Sequence, residues 1–125
     1  MSQLNRLYWL KREIEQIEEQ IKELSVLSAV KMSGMPKGND VSSPIEQFTE
    51  RLMFLQEKLC RKLIEYVDEQ TRIEEVIENF DEPEVRIIAR KRYIESKSWE
   101  TIGNEMFIDR TTAYKKLRRY EKRYF

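Results

Sequence analysis

Residues 98–124 read SWETIGNEMFIDRTTAYKKLRRYEKRY, and their spacing decides the fold of the C-terminal third. Ser98 is placed to cap a short helix, Trp99 to Met106, that carries Trp99, Ile102 and Met106 on one face. Phe107 and Ile108 form a turn, and Asp109 is positioned as the N-cap of a last helix from Arg110 to about Tyr124. On that helix Ala113, Leu117 and Tyr120, led in by Ile108, share the face that would pack on Ile102 and Met106. The opposite face shows Thr111, Tyr114, Lys115, Arg118, Arg119 and Lys122.

A short helix, a tight turn and a second helix dense in Arg and Lys make a helix-turn-helix arrangement. A narrow apolar back with a long cationic front suits entry into a DNA major groove. Lys and Arg would neutralise phosphates and release counterions, while residues near the helix N-terminus would reach base edges. With Asp109 as the cap, backbone N–H groups of the first turn are left to meet a phosphate. The plain alternative is a solvated cationic helix on a bundle surface. The short preceding helix, the tight turn and the small Ala113, where two helices would approach closely, favour the DNA reading.

Working upstream, Asp81-Glu82-Pro83-Glu84 is a boundary with Asp81 as cap and Glu84 at the third helical position. A helix follows through Val85, Ile88, Ala89 and Tyr93 and ends near Glu95-Ser96-Lys97. At the other end of the chain Leu7, Leu10, Ile14, Ile17, Ile21 and Leu24 alternate spacings of three and four. That is a heptad seam, with Glu18→Lys22 as an i,i+4 pair on its flank. Residues 31–44, KMSGMPKGNDVSSP, hold two of the three glycines and two of the three prolines and predict a loop. A second long helix is expected from Ser43 as cap, Pro44 as first residue and Glu46 completing a capping box. Its seam runs Ile45, Phe48, Leu52, Leu55, Leu59, Leu63, Tyr66, Val67, Ile73, Ile77 and Phe80. A further stripe, Met53, Cys60, Ile64 and Val67, is offset from it, and one partner helix cannot cover both. The stripe predicts a homodimer through the hairpin, or the C-terminal module packed on its lower half, with Cys60 as a small buried hydrophobe. The fold class is all-α: an antiparallel, coiled-coil-like helical hairpin over residues 1–80, then a helix-turn-helix module over 81–125.

Composition removes most other chemistry. The chain has 125 residues, 37% of them charged, with 3 Gly, 3 Pro, 1 Cys and no His. Without His, neither a Ser/His/Asp triad nor a Cys/His pair is possible, and one Cys makes neither an internal disulfide nor a thiolate metal site. A hydrolase, a metalloenzyme and a secreted disulfide scaffold are excluded, and no catalytic residue, metal ligand or cofactor is assigned. Glu74, Glu75 and Glu78 are the remaining candidates for acid–base work, and they fall on an exposed helix face with no pocket residues around them. No apolar run of about 18 residues exists to span a membrane. The N-terminal MSQLNRLYWLKREIEQ lacks the apolar stretch of a signal peptide, so a cytoplasmic location is expected. The net charge of zero averages unlike segments: residues 45–80 hold 5 basic and 9 acidic side chains, whereas 110–125 hold 7 basic and 1 acidic. A basic tail of that kind points to an anionic partner.

Residues 99–124, WETIGNEMFIDRTTAYKKLRRYEKRY, resemble the helix-turn-helix of region 4 in bacterial sigma factors, which recognises promoter DNA. With Ile87-Ile88-Ala89-Arg90-Lys91-Arg92-Tyr93-Ile94 and Lys97-Ser98-Trp99-Glu100 ahead of it, the stretch is similar to sigma-like regulators of the ArpU and RinA type, encoded by phages and prophages. Residues 33–47, SGMPKGNDVSSPIEQ, also resemble the N-terminal half of small phage proteins of this group. The resemblance implies activation of phage late genes in a bacterial host by binding double-stranded DNA. It places Arg110, Thr111, Thr112, Tyr114, Lys115, Arg118 and Arg119 on the recognition surface and Trp99, Ile102, Ala113 and Leu117 at packing positions. The position where this motif usually has Gly is Phe107, and a non-Gly residue at positive φ costs about 1 kcal/mol, so a rearranged turn is expected. Nothing matches the part of a full sigma factor that melts DNA, so host RNA polymerase with its own sigma factor is an implied partner.

Two other readings compete. A small terminase-like DNA-packaging subunit would combine the same elements in a large ring, and a coiled-coil adaptor would use the basic helix to hold an acidic protein. Trp9 lies off the first seam. It is expected either at a contact with another protein or the recognition module, or half-buried under the 31–44 loop.

Overall fold

A computed structural model describes residues 2–33 and 42–125, with the side chains of 6–29 and 44–125. The described residues form α1 (Ser2–Ser33), α2 (Ser42–Glu78), α3 (Pro83–Ala89), a π-helical turn (Arg90–Ile94), α4 (Trp99–Met106) and α5 (Arg110–Tyr124), with no strand among them. The fold is all-α. No described helix is long and apolar enough to cross a membrane. The chain divides into two compact units, residues 10–65 and residues 66–125 together with 1–9.

In the unit of residues 10–65 the first seam is buried over its earlier part, while Ile21 and Leu24 are half-buried. Leu10, Ile14 and Ile17 are buried on α1, and Leu55 on α2. Lys62 Nζ of α2 lies 2.9 Å from Glu13 Oε2 of α1. The expected Glu18–Lys22 pair does not form. Arg12 pairs instead with Glu15 at 2.9 Å, one turn nearer the N-terminus. Helix reaches further into the expected loop than its Gly and Pro content suggests, since α1 runs to Ser33 and α2 begins at Ser42. That start lies one residue ahead of the expected cap at Ser43, whose side chain falls outside the described set, as do residues 34–41 of the expected loop. The second seam is only partly covered: Ile45 and Leu63 are exposed. Cys60 is exposed rather than buried. It sits on the side of α2 away from Leu55, where no neighbouring helix within the unit reaches.

The other unit has a closed core. Leu7 of α1, Ile73 and Ile77 of α2, Phe80, Val85, Ile88, Ala89, Tyr93, Ile102, Ala113, Leu117 and Tyr120 form one cluster. Segment 66–80, which continues the heptad seam, thus delivers its apolar residues to this core, except Val67, which is exposed. The helix boundary at 81–84 sits one residue later than expected. Glu82 is the N-cap of α3 and Pro83 its first residue, while the Asp81 carboxylate accepts a hydrogen bond from the Tyr120 hydroxyl. The aromatic contact between Phe80 and Tyr120, ring centroids 4.8 Å apart, pulls Asp81 toward α5 and out of capping geometry.

Beyond α3 the helix widens: Glu95 N–H reaches back five residues to Arg90 O at 3.0 Å. Ser96 then turns left-handed at φ 58°, and Lys97 N–H closes the end onto Lys91 O at 3.0 Å. Glu105 of α4 locks this segment by holding Lys97 at 2.6 Å and Lys91 at 3.1 Å. Both lysines, Lys97 first, keep the Glu105 carboxyl below its ordinary pKa.

Candidate nucleic-acid interface

The interface begins at a cap. Ser98 Oγ accepts Thr101 N–H at 3.2 Å, as its position in the sequence predicts, and α4 starts at Trp99. Eight residues later the helix ends at Phe107, which adopts φ 57° and ψ 39° in the left-handed region. Phe107 N–H and Ile108 N–H both converge on Gly103 O, the second at 3.0 Å, in a Schellman-like closure. The expected rearrangement of this turn does not occur. The turn keeps the left-handed geometry that glycine would adopt at lower cost, and Phe107 bears it with 93% of its surface exposed.

Gly103 explains why the turn can be so tight. A Cβ built on it would stand 2.8 Å from Ile108 O and 3.1 Å from Arg110 N, both backbone atoms. Sequence reasoning credited the close approach of the two helices to Ala113, which is fully buried. It missed Gly103. The available signal was a glycine inside a helical pattern, which costs about 1 kcal/mol against alanine and so asks for a reason.

Asp109 is the N-cap of α5 by its extended backbone (φ −69°, ψ 137°), but its side chain makes no capping hydrogen bond. Ala113, Leu117 and Tyr120 seat α5 on the core together with Ile102, with Met106, Ile108 and Trp99 packed at the margin. The other edges of α5 are tied down individually. Lys116 Nζ donates to Glu84 Oε2 at 3.0 Å, and the Tyr93 hydroxyl donates to Glu121. Burial and the Glu121 carboxylate push the Tyr93 hydroxyl pKa well up, so it stays a donor.

All eight residues expected at the interface, Arg110, Thr111, Thr112, Tyr114, Lys115, Arg118, Arg119 and Lys122, are exposed. Five of them, Tyr114, Lys115, Arg118, Arg119 and Lys122, line one shallow groove of about 280 Å³ along α5. Charge is partitioned sharply within the module. Arg86 donates to Phe80 O at 2.6 Å, Arg90 pairs with Glu78, and Lys91, Lys97 and Lys116 pair with carboxylates. By contrast Arg110, Lys115, Arg118, Arg119 and Lys122, with Arg123 beside them, make no ion pair with the described residues.

Sequence reasoning also missed Arg92. Its guanidinium lies 4.9 Å from the Trp99 ring, and its Nη1 donates to Lys97 O at 2.9 Å. Trp99 in turn meets Tyr114 edge-on at 5.4 Å, and Arg118 lies 5.8 Å from the Tyr114 ring. The four side chains form a continuous cation–aromatic row across α4 and α5, which fixes Tyr114 and Arg118 in place. Tyr114 thus packs against Trp99 while staying exposed on the front of α5. Among the described residues, no group of three or more Cys, Asp or Glu stands ready to hold a metal.

The model of a family described as "Protein of unknown function (DUF1492)" matches residues 46–124. No curated protein and no solved structure matches the chain.

Proposed function

The chain belongs to the DUF1492 family, and we propose that it is a sequence-specific double-stranded DNA-binding regulator of transcription. The observation that carries this reading is the set of five exposed cations without ion pairs on the front of α5, in a module where Arg72, Arg90, Lys91, Lys97 and Lys116 are each paired with a carboxylate. A cationic helix that served only solubility would have no need to keep its charges unpaired on one face while its neighbours pair. At 1.5 Å per residue the 15 residues of α5 span about 22 Å, enough to lie along a major groove. Lys115, Arg118, Arg119 and Lys122 serve as phosphate contacts along it. Arg110, Thr111 and Thr112, in the first turn of α5, are placed to meet base edges and the adjoining phosphate.

The regulatory part of the reading comes from the resemblance to sigma-like regulators of phages and prophages, and it makes host RNA polymerase the second partner. The test is selection of a binding site from random duplexes, followed by affinity measurement over a salt series. A selected duplex should bind about a thousandfold more tightly than random duplex. Four phosphate contacts, by Lys115, Arg118, Arg119 and Lys122, would give a slope of log affinity on log salt of about −3.6. Lys115→Ala should reduce that slope by about one while leaving the preferred sequence intact, and Thr111→Ala should relax the preference at one position. Binding that heparin or random DNA abolishes equally, with no selected sequence, overturns the proposal and leaves the acidic-protein adaptor.

A further inference from the structure

The outer face of α2 in the unit of residues 10–65 is the least explained surface of the described chain. Met53, Cys60 and Ile64 project from it, and Ile64 is 63% exposed. They lie opposite Leu55, which is buried. With Glu57 they follow spacings of four, three and four, the rhythm of a second heptad seam on the back of a helix whose first seam is already used. Between them runs a recess of about 360 Å³ lined by Met53, Gln56, Glu57, Cys60 and Arg61. Glu57 and Arg61 are exposed, and neither has an ion-pair partner among the described residues.

We infer that this face is the self-association surface of the chain, and that two copies of α2 pack across it antiparallel. The argument is self-complementarity. A closed dimer has two-fold symmetry, so any contact between positions i and j occurs twice. An antiparallel pairing that sets Met53 against Ile64 of a second copy also sets Glu57 against the level of Cys60 and within reach of Arg61. Each copy then supplies one carboxylate and one guanidinium, and both are matched. The parallel alternative stacks Glu57 on Glu57 in a seam, which places like charges together. The inference is independent of the DNA reading, because none of these residues lies on α4 or α5.

Sedimentation velocity on the full chain without DNA, across a concentration series, tests it. The wild type should move from monomer to dimer. Glu57→Arg alone and Arg61→Glu alone should each weaken the dimer about tenfold or more, because each puts like charges together. The double variant, Glu57→Arg with Arg61→Glu, should restore it, since the pair is rebuilt in reverse. Met53→Glu should abolish the dimer whatever the charges. All three substituted positions are exposed, and circular dichroism should report unchanged helicity. A wild type that stays monomeric overturns the inference. So does a ring larger than a dimer, a double variant that fails to recover, or single variants that associate as well as the wild type.

Discussion

Ile102 and Ile64 carry the same side chain on two helices of this chain and stand at opposite extremes, the first fully buried and the second largely exposed. Ile102 belongs to the unit that closes its own core, with apolar residues contributed from α1 through α5. Ile64 belongs to the unit of residues 10–65, where, among the described residues, Leu10, Ile14, Ile17 and Leu55 are the buried hydrophobics and Met53, Phe54, Leu63 and Ile64 remain exposed. The physical lesson is that a helix face is buried by the number of neighbours available, not by its pattern. A module of short helices meeting at steep turns surrounds each apolar residue. Two long helices can shield only the seam between them, and a second seam on the outer side is left over.

This contrast is broken most directly by truncating both isoleucines. Ile102→Ala should cost about 2–5 kcal/mol in denaturant unfolding, because it leaves a cavity in a closed core. Ile64→Ala should cost less than about 0.5 kcal/mol at protein concentrations where the chain is monomeric. If the outer α2 face is covered by a second copy, the Ile64→Ala penalty should grow as protein concentration rises, while the Ile102→Ala penalty should not. Equal penalties at all concentrations would erase the distinction between the two units.

Within the closed unit, the turn between α4 and α5 sets two residues against each other. Gly103 is the residue the geometry requires, and Phe107 is the residue the geometry tolerates. Gly103→Ala pushes a Cβ into Ile108 O and Arg110 N. Backbone atoms cannot swing aside as a side-chain tip would, so the turn must open, at a cost of about 1–3 kcal/mol. The start of α5 moves with it, and if α5 binds DNA as proposed, site-specific affinity should fall as well. Phe107→Gly should act in the opposite direction, raising stability by roughly 0.5–1 kcal/mol as the left-handed strain is relieved. Thermal unfolding of the two variants beside the wild type checks both signs.

Much of this was legible in the sequence, and the reasons separate cleanly. Helix-period apolar spacing locates Ile102, Ala113, Leu117 and Tyr120, because a core face is a local property of one helix. The cap at Ser98 and the exposure of all eight residues expected at the interface follow from the same arithmetic. Contacts between segments distant in sequence were not legible. The Asp81 carboxylate looks like a helix cap until α5 brings the Tyr120 hydroxyl to it from 39 residues away. Arg92 looks like part of a basic run until the π-helical turn sets it over Trp99. Cys60 reads as buried because its stripe is apolar, and spacing alone cannot say whether anything lies on the other side. Whether a turn without glycine keeps its shape was equally closed to sequence reasoning, since the answer depends on the Gly103 carbonyl receiving two N–H groups.

The smallest expected effect tests one of those distant contacts. The Tyr120 hydroxyl, with the Arg123 charge behind it, holds the Asp81 carboxyl below its ordinary value of 3.8. The Asp81 carboxylate, with partial burial, raises Tyr120 above its ordinary 10.0. A carboxyl depressed on folding adds stability that is present above its unfolded pKa and is lost as pH falls through the folded value. A phenol raised on folding adds stability that is present below its unfolded pKa and is lost as pH rises past it. The pair therefore stabilises the unit between about pH 4 and pH 10 and withdraws at both ends. Tyr120→Phe keeps the ring against Phe80 and removes the hydroxyl, so its stability profile should be flatter, with the gap from wild type widest near neutrality and closing in acid. Urea unfolding from pH 3 to pH 8 reads this directly. A constant gap across that range would mean that the hydroxyl contributes through packing alone, and that Asp81 is held by the start of α3 after all.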